Sequence, residues 1–139
     1  MPEPYEAVPA GRLVGVGIGA GITAGLLSAL VWLGASATGM SSEVAVPGRE
    51  ATELAWFNLP LLAILAGLGA GVVAARVRRG ATPRRRFHRV ALGVLVVSLL
   101  PLLAQPDEVT WATRIVLGGA HVLVYAIVVP ALAKLLPDS

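Results

Sequence analysis

The sequence predicts an all-α protein, a four-span transmembrane helix bundle with both termini on the cytoplasmic side. Three observations carry this. The 139 residues are 56% hydrophobic and only 14% charged, with a mean hydropathy of +0.79. Soluble domains run nearer a quarter charged, so the deficit points to lipid. Four apolar runs follow one another, at about 13–37, 54–75, 87–104 and 111–136. Between the second and third lies RVRRGATPRRRFHR, which holds seven of the ten arginines: Arg76, Arg78, Arg79, Arg84, Arg85, Arg86 and Arg89.

The first run, Leu13–Ala37, has the length a helix needs, since about 20 apolar residues cross a hydrocarbon core of about 30 Å. The stretch before it, residues 1–12, holds three prolines and is expected to be a disordered cytoplasmic tail. A signal-peptidase reading of Ala35-Ser36-Ala37 competes with a retained first span. Its apolar run of about twenty residues is long for a signal peptide, and Arg12 is the only positive charge before it. Retention is therefore favoured, and one domain is expected over residues 13–136. Residues 38–52 mix Ser, Gly, Pro and acids and predict an irregular or partly helical outer cap.

The second run, Leu54–Ala75, and the fourth, Trp111–Leu136, also meet the length criterion. The third is shorter and ends near Pro101, so it is expected to need bilayer thinning or snorkelling by Arg86 and Arg89. Orientation follows from the arginines, which stay on the cytoplasmic face, joined there by Arg12 and Lys134. The opposite loops carry mainly acids: Glu43, Glu50, Glu53, Asp107 and Glu108. Trp32, Trp56, Phe57 and Trp111 fall near the outer helix ends, where amphipathic rings prefer to sit. A multi-pass protein of the cytoplasmic membrane is the expectation.

Charge and composition exclude several functions. The net charge of +3 and the pI of about 10.2 invite a nucleic-acid reading. A DNA-binding surface needs basic residues spread over a folded soluble face, and here they crowd one short loop. No nucleic-acid partner is expected; the bilayer and its anionic lipid headgroups are, at about 1 kcal/mol per basic residue near the surface. With no cysteine there is no disulfide, thiolate metal site or cysteine nucleophile. No acid lies within a predicted span, so paired-carboxylate chemistry and a serine triad lack their parts. Metal binding by the acidic outer rim would need converging oxygens, and solvated loop charges explain those residues more simply.

Val14–Gly25 (VGVGIGAGITAG) resembles a nucleotide loop only superficially. Gly15 and Gly17 are followed by Ala20 rather than glycine, no strand precedes them, and no GK[ST] follows. Helical spacing gives a better account. Gly11, Gly15 and Gly19 recur every four residues, as do Gly17, Gly21 and Gly25, making faces where another backbone can approach. In the second span Gly67–Val72 (GLGAGV) echoes Gly17–Ile22 (GIGAGI), and Gly67 and Gly71 form a small-xxx-small pair. Antiparallel neighbours would then meet glycine to glycine at one depth.

His121 is the strongly polar residue deep in a span, about 15 Å beyond Trp111 by helical rise. Arg114, Gly118, His121 and Tyr125 share one helix stripe. Ionisable groups in a span are costly and face protein or water. One reading is a structural hydrogen bond from His121 to a neighbouring helix, with Asn58, Ser98, Thr23 or Ser28 as partner; a proton or ligand site is another, and cofactor ligation a third. His88 and His121 differ in depth by about 20 Å, so one haem iron cannot reach both within a chain. No cofactor, catalytic residue or metal site is assigned.

From Ser98 onward the chain reads SLLPLLAQPDEVTWATRIVLGGAHVLVYAIVVPAL. A serine and proline late in the third helix, a short polar turn, then a helix with a mid-span histidine and a late proline resemble a known group. These features, with the glycine- and alanine-rich second helix and the arginine-rich loop, are similar to the small four-helix actinobacterial integral membrane proteins of unknown function. The resemblance covers nearly everything after Leu13. It implies that His121 is the most distinctive polar position, and it carries no activity over. The inner loop holds more arginines than that group leads one to expect. Small multidrug transporters match poorly, because their essential first-helix glutamate has no counterpart between Leu13 and Ala37. The asparagine and phenylalanine pattern of four-helix fluoride channels is missing too.

Three functions stay open at this level. The first is a non-enzymatic accessory or helix–helix interaction protein, packing with a membrane partner or as a homo-oligomer. The second is a small transporter or proton-coupled channel built around His121, which needs a continuous polar lining. The third is a membrane-embedded enzyme using His121 with Arg114 and Tyr125, which needs a closed pocket reaching the histidine.

Overall fold

The computed structural model describes residues 8–45 and 49–138. Four helices form the body: α1 (Ala10–Ala37), α2 (Asn58–Val77), α3 (Pro83–Leu103) and α4 (Trp111–Ala133). All four are long and apolar enough to cross a membrane. Two short strands, β1 (Glu43–Val44) and β2 (Thr52–Glu53), pair antiparallel between α1 and α2. The surface is what lipid requires: Leu30, Val94, Val97, Leu100 and Ile115 all point outward, far more exposed apolar area than a soluble monomer carries.

The helix boundaries correct the expected spans. α1 starts at Ala10, directly after Pro9, so Ala10–Arg12 are helical rather than part of a disordered tail. The rest of that tail, residues 1–7, lies outside the described residues. α2 starts at Asn58 instead of Leu54, because a proline clashes with the carbonyl four residues earlier and Pro60 therefore tolerates only a first-turn position. The residues before it are pulled into the hairpin, where Leu54 N–H donates to the Ser42 carbonyl at 2.9 Å. Among the described residues, the segment expected as an irregular or partly helical cap thus holds a short antiparallel strand pair.

α3 gains most. Pro83 opens it at the first turn, where its fixed φ and missing N–H cost nothing. Its 21 residues begin four before Phe87 and run through Pro101 to Leu103, a helix long and apolar enough to cross a membrane. Arg84, Arg85, Arg86 and Arg89 consequently sit on the first turns of α3, Arg76 sits on the last turn of α2, and only residues 78–82 connect the helices. α4 ends at Ala133, three residues early, as Leu135 and Leu136 turn before Pro137.

Two apolar clusters close the ends of the bundle. The one at the arginine end, named inner after the expected orientation, joins Leu13, Ala74, Phe87, Val128, Val129, Leu132 and Leu136; the one at the hairpin end, named outer, joins Trp32, Leu59 and Leu117, with Leu102 packed against them. α1 contributes to both, so the folded bundle includes the segment that a cut after Ala37 would remove. Both ends of the described chain meet at the arginine end of the bundle, where Arg84 pairs with Asp138.

Candidate functional site

α1 and α2 form the tightest pair in the molecule. Glycine removes the side chain that would hold the backbones apart. A Cβ built on Gly21 would lie 2.6 Å from the Ala63 carbonyl oxygen, and one on Gly25 would lie 2.5 Å from Pro60 Cα. One on Gly71 would lie 2.8 Å from Val14 Cα. Gly17 and Gly67 face each other in the middle of this seam. Each four-residue step along α1 is met by one in the opposite direction along α2. The second glycine face behaves differently: Gly11, Gly15 and Gly19 have open space around them.

α3, by contrast, touches α2 sparsely and rests mainly on α4. The gap between them is a cavity of about 490 Å³, walled by α2, α3 and α4 with Ser28 of α1 at its back. Its mouth faces the bilayer: the wall residues Leu62 of α2 and Val94 of α3 are 58% and 63% exposed. Small residues make the room, chiefly Ala66, Gly69 and Ala70 on α2 and Ala91 on α3. The outer cluster roofs it and the inner cluster floors it.

Four polar residues line this apolar space: Ser28, Ser98, His121 and Tyr125. Helical register puts three of them at one level. Trp32, Leu102 and Leu117 meet in the outer cluster, and Ser28, Ser98 and His121 are each four residues inward on their own helices. One helical turn, about 5.4 Å, therefore separates each from that roof. Ser28 is 3% exposed and its hydroxyl has no hydrogen-bond partner among the described residues. Ser98 Oγ donates to the Leu95 carbonyl at 2.7 Å, leaving its lone pairs free. Tyr125 lies a turn further in, beside the inner cluster.

His121 does not bond a neighbouring helix; its Nδ1 lies 2.8 Å from the Leu117 carbonyl on α4 itself. None of Asn58, Ser98, Thr23 or Ser28 bonds it, and Thr23 Oγ1 instead donates to Gly19 O at 3.2 Å. A carbonyl oxygen only accepts, so Nδ1 carries the proton. In the uncharged ring Nε2 is then a lone-pair acceptor turned away from that bond.

Arg114 leaves the stripe it was expected to share. Its guanidinium turns outward, donating to the carbonyls of Gln105 at 3.0 Å, Pro106 at 2.9 Å and Val109 at 3.2 Å. It also lies over the Trp111 ring at 4.8 Å. Gly118, between Arg114 and His121, is covered by the side chains of Leu99 and Leu102. Arg114 thus fixes the α3–α4 turn. Gln105 in the same turn clasps the hairpin, accepting from Ala45 N–H at 2.9 Å and donating to Ala45 O at 2.7 Å.

At the opposite end Arg78 Nη1 caps α2 by donating to the Ala75 carbonyl at 2.7 Å. Arg84, Arg85 and Arg86 crowd the start of α3, which carries no acid in its first turn. Cations are disfavoured there by the helix dipole, and anions favoured. Among the described residues, no group of three histidines or acids is placed to hold a metal ion.

A family model matches residues 8–138, nearly the whole described chain. The chain belongs to DUF6069, a family of unknown function. Neither the curated proteins nor the solved structures contain a match. For this DUF6069 protein the geometry of its own residues is therefore the guide to function. Sequence reading had named Ser28 and Ser98 only as partners for His121. The cavity itself was hidden, although the small residues of α2 are its one visible trace.

Proposed function

We propose that this DUF6069 protein is a non-enzymatic accessory protein of the cytoplasmic membrane that holds a lipid-phase small molecule in the α2–α3–α4 cavity. The laterally open cavity carries the reading. Its 490 Å³ falls within the size of small-molecule sites, about 300–1,000 Å³, and is too small to admit a partner helix about 10 Å across. The α1–α2 pair, locked by glycine contact, is the rigid half; α3 is the loosely packed wall past which a guest enters. Both termini and the arginine cluster face the cytoplasm in this proposal, with α3's first turn set against anionic headgroups.

Proton-coupled transport is supported less well. It needs polar groups spaced through the membrane, and here Ser28, Ser98, His121 and, one turn further in, Tyr125 lie between apolar clusters above and below. The enzyme reading loses Arg114, which is engaged at the outer turn.

Native mass spectrometry of the protein purified from its own membrane tests the proposal. A bound lipophilic species should survive mild detergent. Gly69→Leu fills the cavity without striking anything, because a Cβ there meets open space; Gly93→Leu adds the same bulk outside the cavity wall. The species should be lost from the first variant and kept in the second. Equal retention in both, or no bound species, overturns the reading.

A further inference from the structure

Resting on that reading, we infer that the guest is a lipid-soluble alcohol, an apolar molecule whose free hydroxyl is bound at the level of Ser28, Ser98 and His121. The inference comes from counting donors and acceptors at this level. Ser28 Oγ–H is a donor with no partner, on a residue 3% exposed. In the neutral ring His121 Nε2 is an acceptor, because Nδ1 donates to Leu117 O. Ser98 Oγ has already donated its proton to Leu95 O and only accepts. A buried polar group without a partner is costly, so this level is complementary to a group that both donates and accepts.

A hydroxyl does both at one atom: its proton goes to Nε2 or Ser98 Oγ, and its lone pair takes the Ser28 proton. A ketone, ester or ether oxygen only accepts and would leave Nε2 unpaired. A carboxylate or phosphate would bring a charge into a wall that holds no arginine or lysine, at a desolvation cost that nothing there offsets. The remaining wall is apolar and suits a hydrocarbon tail leading out through the mouth at Leu62 and Val94.

The test uses the full-length protein in nanodiscs and two photoreactive probes, a long-chain primary alcohol bearing a diazirine and its methyl ether. The alcohol should label cavity residues about tenfold more strongly than the ether at equal membrane concentration. Ser28→Ala and His121→Phe should each bring the alcohol down towards the ether, whereas Gly69→Leu should suppress both probes. A polyprenyl alcohol with its own ether, run beside the straight-chain pair, identifies the tail; either alcohol exceeding its ether supports the inference.

A second measurement needs no cavity variant. The ¹⁵N resonance of His121 Nε2 should move when alcohol is added and stay fixed with ether, with His88→Gln used to assign the two histidines. Equal labelling by alcohol and ether, or an unmoved Nε2 resonance, overturns hydroxyl recognition while leaving guest binding standing. Labelling that Gly69→Leu does not reduce overturns the cavity reading itself.

Discussion

Gly17 of α1 and Gly67 of α2 occupy each other's side-chain space: a Cβ built on either one strikes the carbonyl oxygen of the other. Such reciprocity marks the closest approach of two backbones, which permits weak Cα–H···O contacts and dense packing where no hydrophobic effect operates between helices. The rest of the bundle hangs on this pair, since α4 packs on α1 and α3 on α4.

The seam should therefore be the most substitution-sensitive part of the protein. Gly17→Leu, Gly21→Leu or Gly71→Leu should destabilise the bundle by about 1–3 kcal/mol or more, through overpacking against backbone that cannot give way. Gly15→Leu, on the open face, is the control and should be close to neutral. Thermal unfolding in detergent measures both. Equal losses would mean that helix propensity, not the seam, decides.

Orientation is tested by accessibility. Cysteines introduced at Ser42 and Ala81 should label from opposite sides of sealed cells, Ser42 from outside. Labelling of Ala81→Cys by an impermeant reagent in intact cells would invert the proposed topology and remove the arginine cluster from the cytoplasmic leaflet.

The Ser28 hydroxyl makes no hydrogen bond among the described residues, so Ser28→Ala should leave stability unchanged or raise it by up to about 1 kcal/mol. A clear loss in thermal stability would reveal a structural partner for the hydroxyl. The same variant, stable but weakened in guest binding, separates folding from recognition at this residue.

Gln105 joins the hairpin to the α3–α4 turn by paired bonds to Ala45. Gln105→Ala should cost about 1–3 kcal/mol, at most the sum of two part-buried hydrogen bonds. The local effect should be larger than the global one. Amide exchange across residues 38–57 should accelerate while the cores of α1 and α2 stay protected; uniform acceleration would show that the cap and bundle unfold together.

His121 divides the functional alternatives. Proteoliposomes with a trapped pH dye should show the same background proton flux for wild type and His121→Gln, as a guest-binding protein requires. Flux in wild type that His121→Gln abolishes would restore the transport reading.

Much of the architecture was legible in the residues. Four apolar runs, three of them of spanning length, and one arginine cluster suffice for four helices, because a chain in lipid must satisfy its backbone internally. Helical period also showed which glycines share a face, but the expected glycine-to-glycine match is met at Gly17 and Gly67, whereas Gly25 lies against Pro60 and Ala63 and Gly71 against Leu13 and Val14.

Which faces meet was decided only by tertiary structure. α1 carries two glycine faces of the same spacing, and only that of Gly17, Gly21 and Gly25 is used. In water, hydrophobic burial would mark the inward face; in a bilayer the exterior is as apolar as the interior, so composition cannot choose. The same blindness hid the site. Nothing in the spacing along one helix brings Ser28, Ser98 and His121 to a common level, or turns Arg114 away from His121 towards the Gln105 carbonyl. Those relations depend on the relative depth of three helices, which the packing of Trp32, Leu102 and Leu117 sets.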